Sequence, residues 1–184
     1  MTMDVLPFQR EGCALMGQLS PKPGLRPFLP DDVPALAEIL QASVEELTGE
    51  DYSQGQQEAW MAMAEDESFA RRLAGSLTLI ATVEGTPAGF IALKDNELIE
   101  MLYVHPEAAG QGLGTMLYDA VEKLAGARGA ARLLAEVSDN ALPFFQKHGF
   151  TPQRRNTKPL GDEWLGTTTM DKRLAPAEDR KLSS

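Results

Sequence analysis

The sequence predicts an α+β domain, a mixed and mostly antiparallel sheet flanked by helices. Three observations predict it. Residues 76–104 hold three apolar runs broken at Glu84–Gly85 and at Asp95–Asn96, the pattern of two successive hairpins. A glycine-rich turn is followed by apolar residues at helical spacing, Leu113, Met116, Leu117, Ala120, Val121 and Leu124. The helix so marked leads into a further apolar run, Arg132–Val137, and a right-handed crossover of this kind lays its two strands parallel.

Along the chain, residues 1–24 carry apolar side chains without a period and close on Pro21, Pro23 and Gly24, so a loosely ordered extension is expected there. Leu25–Phe28 reads as a short strand. Pro30, Asp31 and Asp32 then open a helix, since the first turn tolerates proline and favours acids. Val33, Leu36, Ala37, Leu40, Val44 and Leu47 give that helix one packed face. A second helix is expected from Asp51 to about Met63, and a further turn or two over Ser68–Ala74. The three meander strands follow at Ser76–Val83, Ala88–Leu93 and Glu97–Val104. After the crossover, Asn140–His148 reads as a short helix stopped by Gly149. Phe150–Lys158 and Thr167–Arg173 form a closing hairpin, and the polar segment from Ala175 is expected to be disordered. The folded domain is therefore 25–174.

Composition excludes several classes. A length of 184 residues with 43% hydrophobic content allows one domain with a substantial core. A net charge of -10 lacks the basic footprint of a nucleic-acid binder, and would favour a cationic ligand only through attraction that salt screens. Cys13 is the only cysteine, so no internal disulfide forms. His105 and His148 are expected at the surface, with no metal site between them. No apolar run reaches the ~18 residues that span a bilayer, and no leader is evident, so a soluble cytoplasmic protein without a membrane partner is expected. It would be a monomer or a homodimer.

Glu97–Leu117 carries the chemistry. Val104 closes a strand, Pro106 ends further pairing, and Gly110, Gly112 and Gly114 let the chain turn with its amides converging. Unpaired N–H groups of the first helical turn, with the positive end of the helix dipole, then face an anion. A Walker loop would need Gly-Lys-Ser/Thr, which does not occur. A dinucleotide fold would put Thr115 where its third glycine belongs, and it wants a βαβ unit where this chain has a hairpin.

The segment resembles the acetyl-coenzyme A loop of the GNAT family of N-acetyltransferases, Gln/Arg-x-x-Gly-x-Gly/Ala after a strand ending Val-x-Pro. That pattern falls on Ala109, Gly110, Gln111, Gly112, Leu113 and Gly114, with Ala109 in place of the long Gln or Arg. A second block resembles the family's Asn-x-x-Ala-x-x-Leu-Tyr-x-x-x-Gly-Phe, here Ser138, Ala141, Phe144, Phe145, Gly149 and Phe150. The order of elements over 25–174 is similar to that of the family, and the Pro-Phe-Phe run at Pro143–Phe145, the Tyr-Ser-x-x-Gln-x-x-x-Trp helix at Tyr52–Trp60 and the closing hairpin resemble a bacterial branch of it.

The resemblance implies acetyl-CoA as acyl donor, bound by Leu102, Tyr103, Val104, Ala109, Gly110, Gln111, Gly112, Leu113, Gly114, Thr115, Ser138 and Phe145. It implies transfer to a primary amine of a small molecule or peptide by direct attack in a ternary complex. A carboxylate on the strand before the loop commonly acts as base. The aligned position is Leu98, and Glu100 lies one pleat away on the face shared by Leu98 and Leu102. Strand alternation sends Ile99, Met101 and Tyr103 to the other face, so Tyr103 points away from the site. The Leu102 amide is the candidate donor to the thioester oxygen. Phe145 replaces the family's tyrosine acid and would form an apolar wall, and that loss makes a non-catalytic acyl-CoA-binding module the rival reading. Tyr52 and Trp60 fall in the region that covers the acceptor pocket. Tyr118 is expected on an outward helix face. Trp164 near the last hairpin reads as either a substrate contact or a packing residue, and Arg154, Arg155 and Lys158 read as a solvated strand face, the alternative being contact with an acidic substrate group or the cofactor's 3'-phosphate.

Overall fold

The computed structural model of this chain describes residues 22–176. Its seven strands are β1 (Pro23–Pro27), β2 (Leu77–Val83), β3 (Thr86–Lys94), β4 (Leu98–Val104), β5 (Arg132–Val137), β6 (Thr151–Leu160) and β7 (Glu163–Arg173). They form one sheet in the order β1-β2-β3-β4-β5-β7-β6, antiparallel throughout except for β4 and β5. The mixed, mostly antiparallel α+β sheet is thus present. Pro23 and Gly24, assigned by sequence to the extension, instead begin β1. The rest of that extension, Cys13 included, and the tail beyond Pro176 lie outside the described residues.

Both meander turns hold two consecutive residues at positive φ, Glu84 (53°) with Gly85 (83°) and Asp95 (51°) with Asn96 (58°). Such turns match the right-handed twist of the strands they join. Five helices cover the sheet: α1 (Val33–Leu47), α2 (Gln54–Ala62), α3 (Glu67–Gly75), α4 (Leu113–Ala127) and α5 (Leu142–Lys147). The stretch expected to give only a turn or two is a full helix, α3, because the Asp66 carboxylate caps it by accepting from Ser68 N at 2.6 Å.

The sheet is buried on both faces. One core joins Leu79, Ala81, Ile91 and Leu133 to Leu113, Leu117 and Val121 of α4 and Phe145 of α5. The other joins Ile80, Phe90 and Met101 to Leu36, Leu40 and Val44 of α1, Trp60 of α2, and Phe69 and Leu73 of α3. Truncating a fully buried leucine such as Leu117 to alanine would cost roughly 2–5 kcal/mol. The buried stripe of α4 differs from the expected one: Tyr118 is 1% exposed and Leu124 is 37% exposed. Tyr118 turns inward because α5 packs over it, with Phe144 and Phe150 edge-on to its ring at 6.3 and 5.8 Å. His148 lies half-buried against the same ring at 4.6 Å, not on an open surface.

Candidate active site

Two irregularities of β4 build the site. The first is a bulge. Ala92 pairs with Met101 but Leu93 pairs with Ile99, so Glu100 is an extra residue without a partner on β3. The bulge keeps the expected alternation from Met101 onward and shifts it for the residues before. Ile99, Leu102 and Val104 pack on the α4 side, while Met101 and Tyr103 pack on the α1–α3 side. Glu100 itself turns toward α3, where its Oε1 accepts from Arg72 Nε at 3.0 Å. It does not share a face with Leu102 in the way a regular strand would require.

The second is a splay. β4 and β5 pair only at Leu98↔Leu134 and Ile99↔Ala135, and then part. His105 N donates to Ala88 O at 2.8 Å, which fixes the alternation of the β3–β4 ladder. Met101, Tyr103 and His105 turn their backbone groups to β3, so the amides of Leu102 and Val104 face the gap left by β5.

Beyond β4, Pro106–Ala108 forms one 3₁₀ turn, and the chain reverses through Gly110 (φ 76°) and Gly112 (φ 80°). A Cβ added at either glycine would meet nothing within 4 Å, so glycine is required there for its left-handed backbone and not for space. Gly112 is the N-cap of α4, whose first turn carries no acid. Among the described residues, no amide from Gly110 to Thr115 donates to a protein acceptor. The Gln111 side chain folds back, Nε2 donating to Glu107 O at 3.1 Å, and leaves these amides open. Six free N–H groups at a helix N-terminus suit a diphosphate. Gly114 differs from the other two. It is already helical, and a Cβ there would press on the Phe144 ring at 3.3 Å, so it serves the contact between α4 and α5. Ala109 and Thr115 are exposed beside the turn, and Leu113 is buried beneath it.

A chamber of about 240 Å³ opens where the strands part. Leu102, Tyr103, Ser138 and Phe145 of the expected cofactor set line it, with Glu100 and Trp60. The Glu100 side chain is 17% exposed, and its second oxygen, Oε2, is buried with no hydrogen-bond partner among the described residues. Trp60 Nε1 donates to the Tyr103 phenol oxygen at 2.9 Å. Burial raises the Tyr103 pKa above its ordinary value and the Trp60 N–H opposes the rise, so this phenol is protonated at neutral pH. Tyr103 lines the chamber, contrary to expectation, because the bulge brings Glu100 to Tyr103's side of the sheet.

Tyr52 is not a lining residue. Its hydroxyl donates to Gly166 O at 2.9 Å and accepts from Asp139 N at 2.8 Å, tying the turn before α2 to β7 and to the turn after β5. Arg155 pairs with Asp139 at the same turn and holds that carboxyl below the usual range. Lys158, read as a solvated strand residue, instead pairs with Glu136 of β5, whose Oε1 also accepts from Thr167 at 2.7 Å. Arg72, Glu136 and Thr167 all line the chamber and were missed by sequence reasoning. Glu136 had one signal, a lone charge inside the apolar run Arg132–Val137. Arg72 and Thr167 had none. Among the described residues no cluster of ligating side chains could hold a metal ion, and no helix is long and apolar enough to cross a membrane.

Comparison with known proteins agrees with this architecture. The family model described as an acetyltransferase (GNAT) domain matches residues 48–174. A solved structure described as a GCN5-related N-acetyltransferase (aminotransferase, class II) from Rhodopseudomonas palustris is 55% identical. It superposes with a TM-score of 0.81, covering 83% of this chain and 96% of that one. The PaiA N-acetyltransferase of Thermoplasma acidophilum, solved in complex with coenzyme A, is 22% identical. It has a TM-score of 0.69 over 83% of this chain and 99% of its own. An uncharacterized N-acetyltransferase of Escherichia coli (strain K12), YafP, is 27% identical over 141 residues, 77% of this chain and 89% of that protein.

Proposed function

The chain belongs to the GNAT acetyltransferase family, and from that premise we propose that it is an acetyl-CoA-dependent N-acetyltransferase that acetylates a primary amine by direct attack, with Glu100 as base. The splay carries the reading. It leaves the Leu102 and Val104 amides turned to a gap that ends at a shielded carboxylate oxygen, Glu100 Oε2. The open amides of Gly110–Thr115 suit the diphosphate of the donor, and the gap suits its extended pantetheine arm, which can pair with Val104 as an added strand does.

Amines with a pKa near ~10.4 are almost wholly protonated at neutral pH, and only the free amine attacks a thioester. Glu100 Oε2 takes one proton from the ammonium group. The nitrogen lone pair forms the C–N bond at the thioester carbon, and the carbonyl oxygen gains negative charge. The Leu102 N–H is the donor for that oxygen, and a fixed donor of this kind is worth roughly 3–4 kcal/mol. As the tetrahedral centre collapses, the C–S bond breaks, the nitrogen passes its second proton to water, and coenzyme A departs as a thiolate that takes a proton from water in turn. A thiolate is a weak base, and water suffices to protonate it, so Phe145 in place of a tyrosine is compatible with turnover. Phe145 contributes an apolar wall, 4% exposed and edge-on to Phe150 at 5.2 Å.

The absent phenol at 145 favours one second reading, a non-catalytic acyl-CoA-binding module. Calorimetry with acetyl-CoA, followed by thiol release with a panel of amines, separates the two. Binding with acceptor-dependent release supports the enzyme, binding without release supports the module, and no binding of any acyl-CoA overturns both.

A further inference from the structure

The chamber's two ion pairs differ in what they leave free. Glu136 is saturated: Lys158 meets one of its oxygens, and Thr167 donates to the other at 2.7 Å. The Arg72–Glu100 pair is unsatisfied at both ends. Arg72 spends a single N–H, Nε, on Glu100 Oε1. Its two terminal amino groups, four N–H in a planar fork, meet no acceptor among the described residues, and its side chain is 31% exposed. Glu100 Oε2 is buried and unpartnered on the other side of the same contact.

A carboxylate and a guanidinium joined at one corner, each with an unused corner, present a positive and a negative site a few ångströms apart. The complementary molecule carries an ammonium group and a carboxylate at the same spacing. We infer that the acceptor is a free α-amino acid, held with its ammonium on Glu100 Oε2 and its carboxylate on the Arg72 fork. This inference rests on the acetyltransferase reading above and narrows it. Fork recognition of a carboxylate is geometrically specific and stronger than a neutral contact. The rest of the wall is apolar, with Leu40, Met63, Met101, Leu160 and Leu165 facing the space, so the side chain is apolar too. A volume of about 240 Å³ suits one amino acid beside the end of a thioester. An amino-acid amide or a peptide N-terminus would set a neutral group against the guanidinium and forfeit that pairing.

The test reads binding and turnover separately, on the full chain. Leucine, methionine, valine and phenylalanine are titrated into coenzyme A-saturated protein, each against its own amide, and the same pairs are offered with acetyl-CoA in a thiol-release assay. At least one free amino acid is expected to bind about tenfold or more tightly than its amide, and to show a similar advantage in kcat/KM, the size of one charge-assisted pair. Arg72→Gln should bring the ratio close to one, whereas Lys158→Gln should leave it unchanged. Amides that bind and react as well as free acids overturn the inference while leaving the acetyltransferase intact. So does collapse of the ratio in Lys158→Gln but not in Arg72→Gln. Coenzyme A binding with no thiol release from any amine fails the acetyltransferase reading instead, and the acid-over-amide binding ratio still decides the pocket. The wild-type ratio decides the matter even if Arg72→Gln folds poorly.

Discussion

The glycine turn offers its ligand main-chain donors at two left-handed glycines and a helix N-terminus, with no charged side chain among them. The chamber at the other end of the same gap is walled by side chains, and its charges come as pairs drawn from α3, β4, β5 and β6. The difference follows from what each must recognise. A diphosphate is the same in every acyl-CoA, and backbone amides held by a turn suit it whatever side chains surround them. An acceptor is particular, and only side chains can be particular about charge, size and spacing. Substitution should therefore separate the two ends: chamber variants change the chemical step, and loop variants change donor affinity.

The largest effect should come from Glu100→Gln, which keeps the shape of the side chain and removes its ability to take the ammonium proton. A base in this role is worth about 10²–10⁴ in rate. The expected outcome is a fall of that size in kcat with calorimetric affinity for acetyl-CoA unchanged. A kcat within a few-fold of wild type would dismiss Glu100 as base and shift attention to Glu136.

A pair of glycine variants sharpens the comparison from the other side. Gly112→Ala forces alanine to φ 80° in open space, costing about 1 kcal/mol of loop conformation. The Michaelis constant for acetyl-CoA should rise about fivefold to tenfold with kcat little altered. Gly89→Ala is a different problem. Its Cβ would lie 3.0 Å from Tyr103 O and 3.3 Å from Leu117 Cδ1, in the core beneath the loop. Overpacking of this kind costs about 1–3 kcal/mol and should appear as a lower Tm with donor affinity preserved. If Gly112→Ala left donor affinity untouched, the turn would not be the diphosphate site.

The same contrast explains what was legible in the sequence. Hairpin turns at Glu84–Gly85 and Asp95–Asn96, the whole of β5, and the start of α4 at Leu113 are local, and each is written in a few adjacent residues. The glycine turn was legible for the same reason. The bulge at Glu100 was not, because it depends on a register against β3 that no local pattern reveals, and missing it put Glu100 on the face opposite Tyr103. Gly114 fitted a motif for a turn, yet Phe144 thirty positions away explains it. Tyr118 looked outward because the helical period was read without knowing that α5 covers that side. The chamber is assembled from residues 72, 100, 136, 158 and 167, whose proximity exists only in the folded sheet.

The smallest expected effect concerns the turn after β5, next to Ser138 of the chamber wall. Arg155 beside Asp139 lowers the folded-state pKa of that carboxyl below its ordinary 3.8. The pair therefore stabilises the fold fully above that ordinary value, and the contribution is lost as pH falls through the depressed one. Both side chains are substantially exposed, so solvent and salt weaken the pair. Thermal melts of wild type and Asp139→Asn from pH 6 to pH 2 should show a small gap in Tm, largest above about pH 4 and closing toward pH 2. The gap should also shrink in high salt. A gap that persists to pH 2 would place the stabilising role with the Tyr52–Asp139 amide hydrogen bond, which the asparagine retains only if the turn after β5 holds its shape.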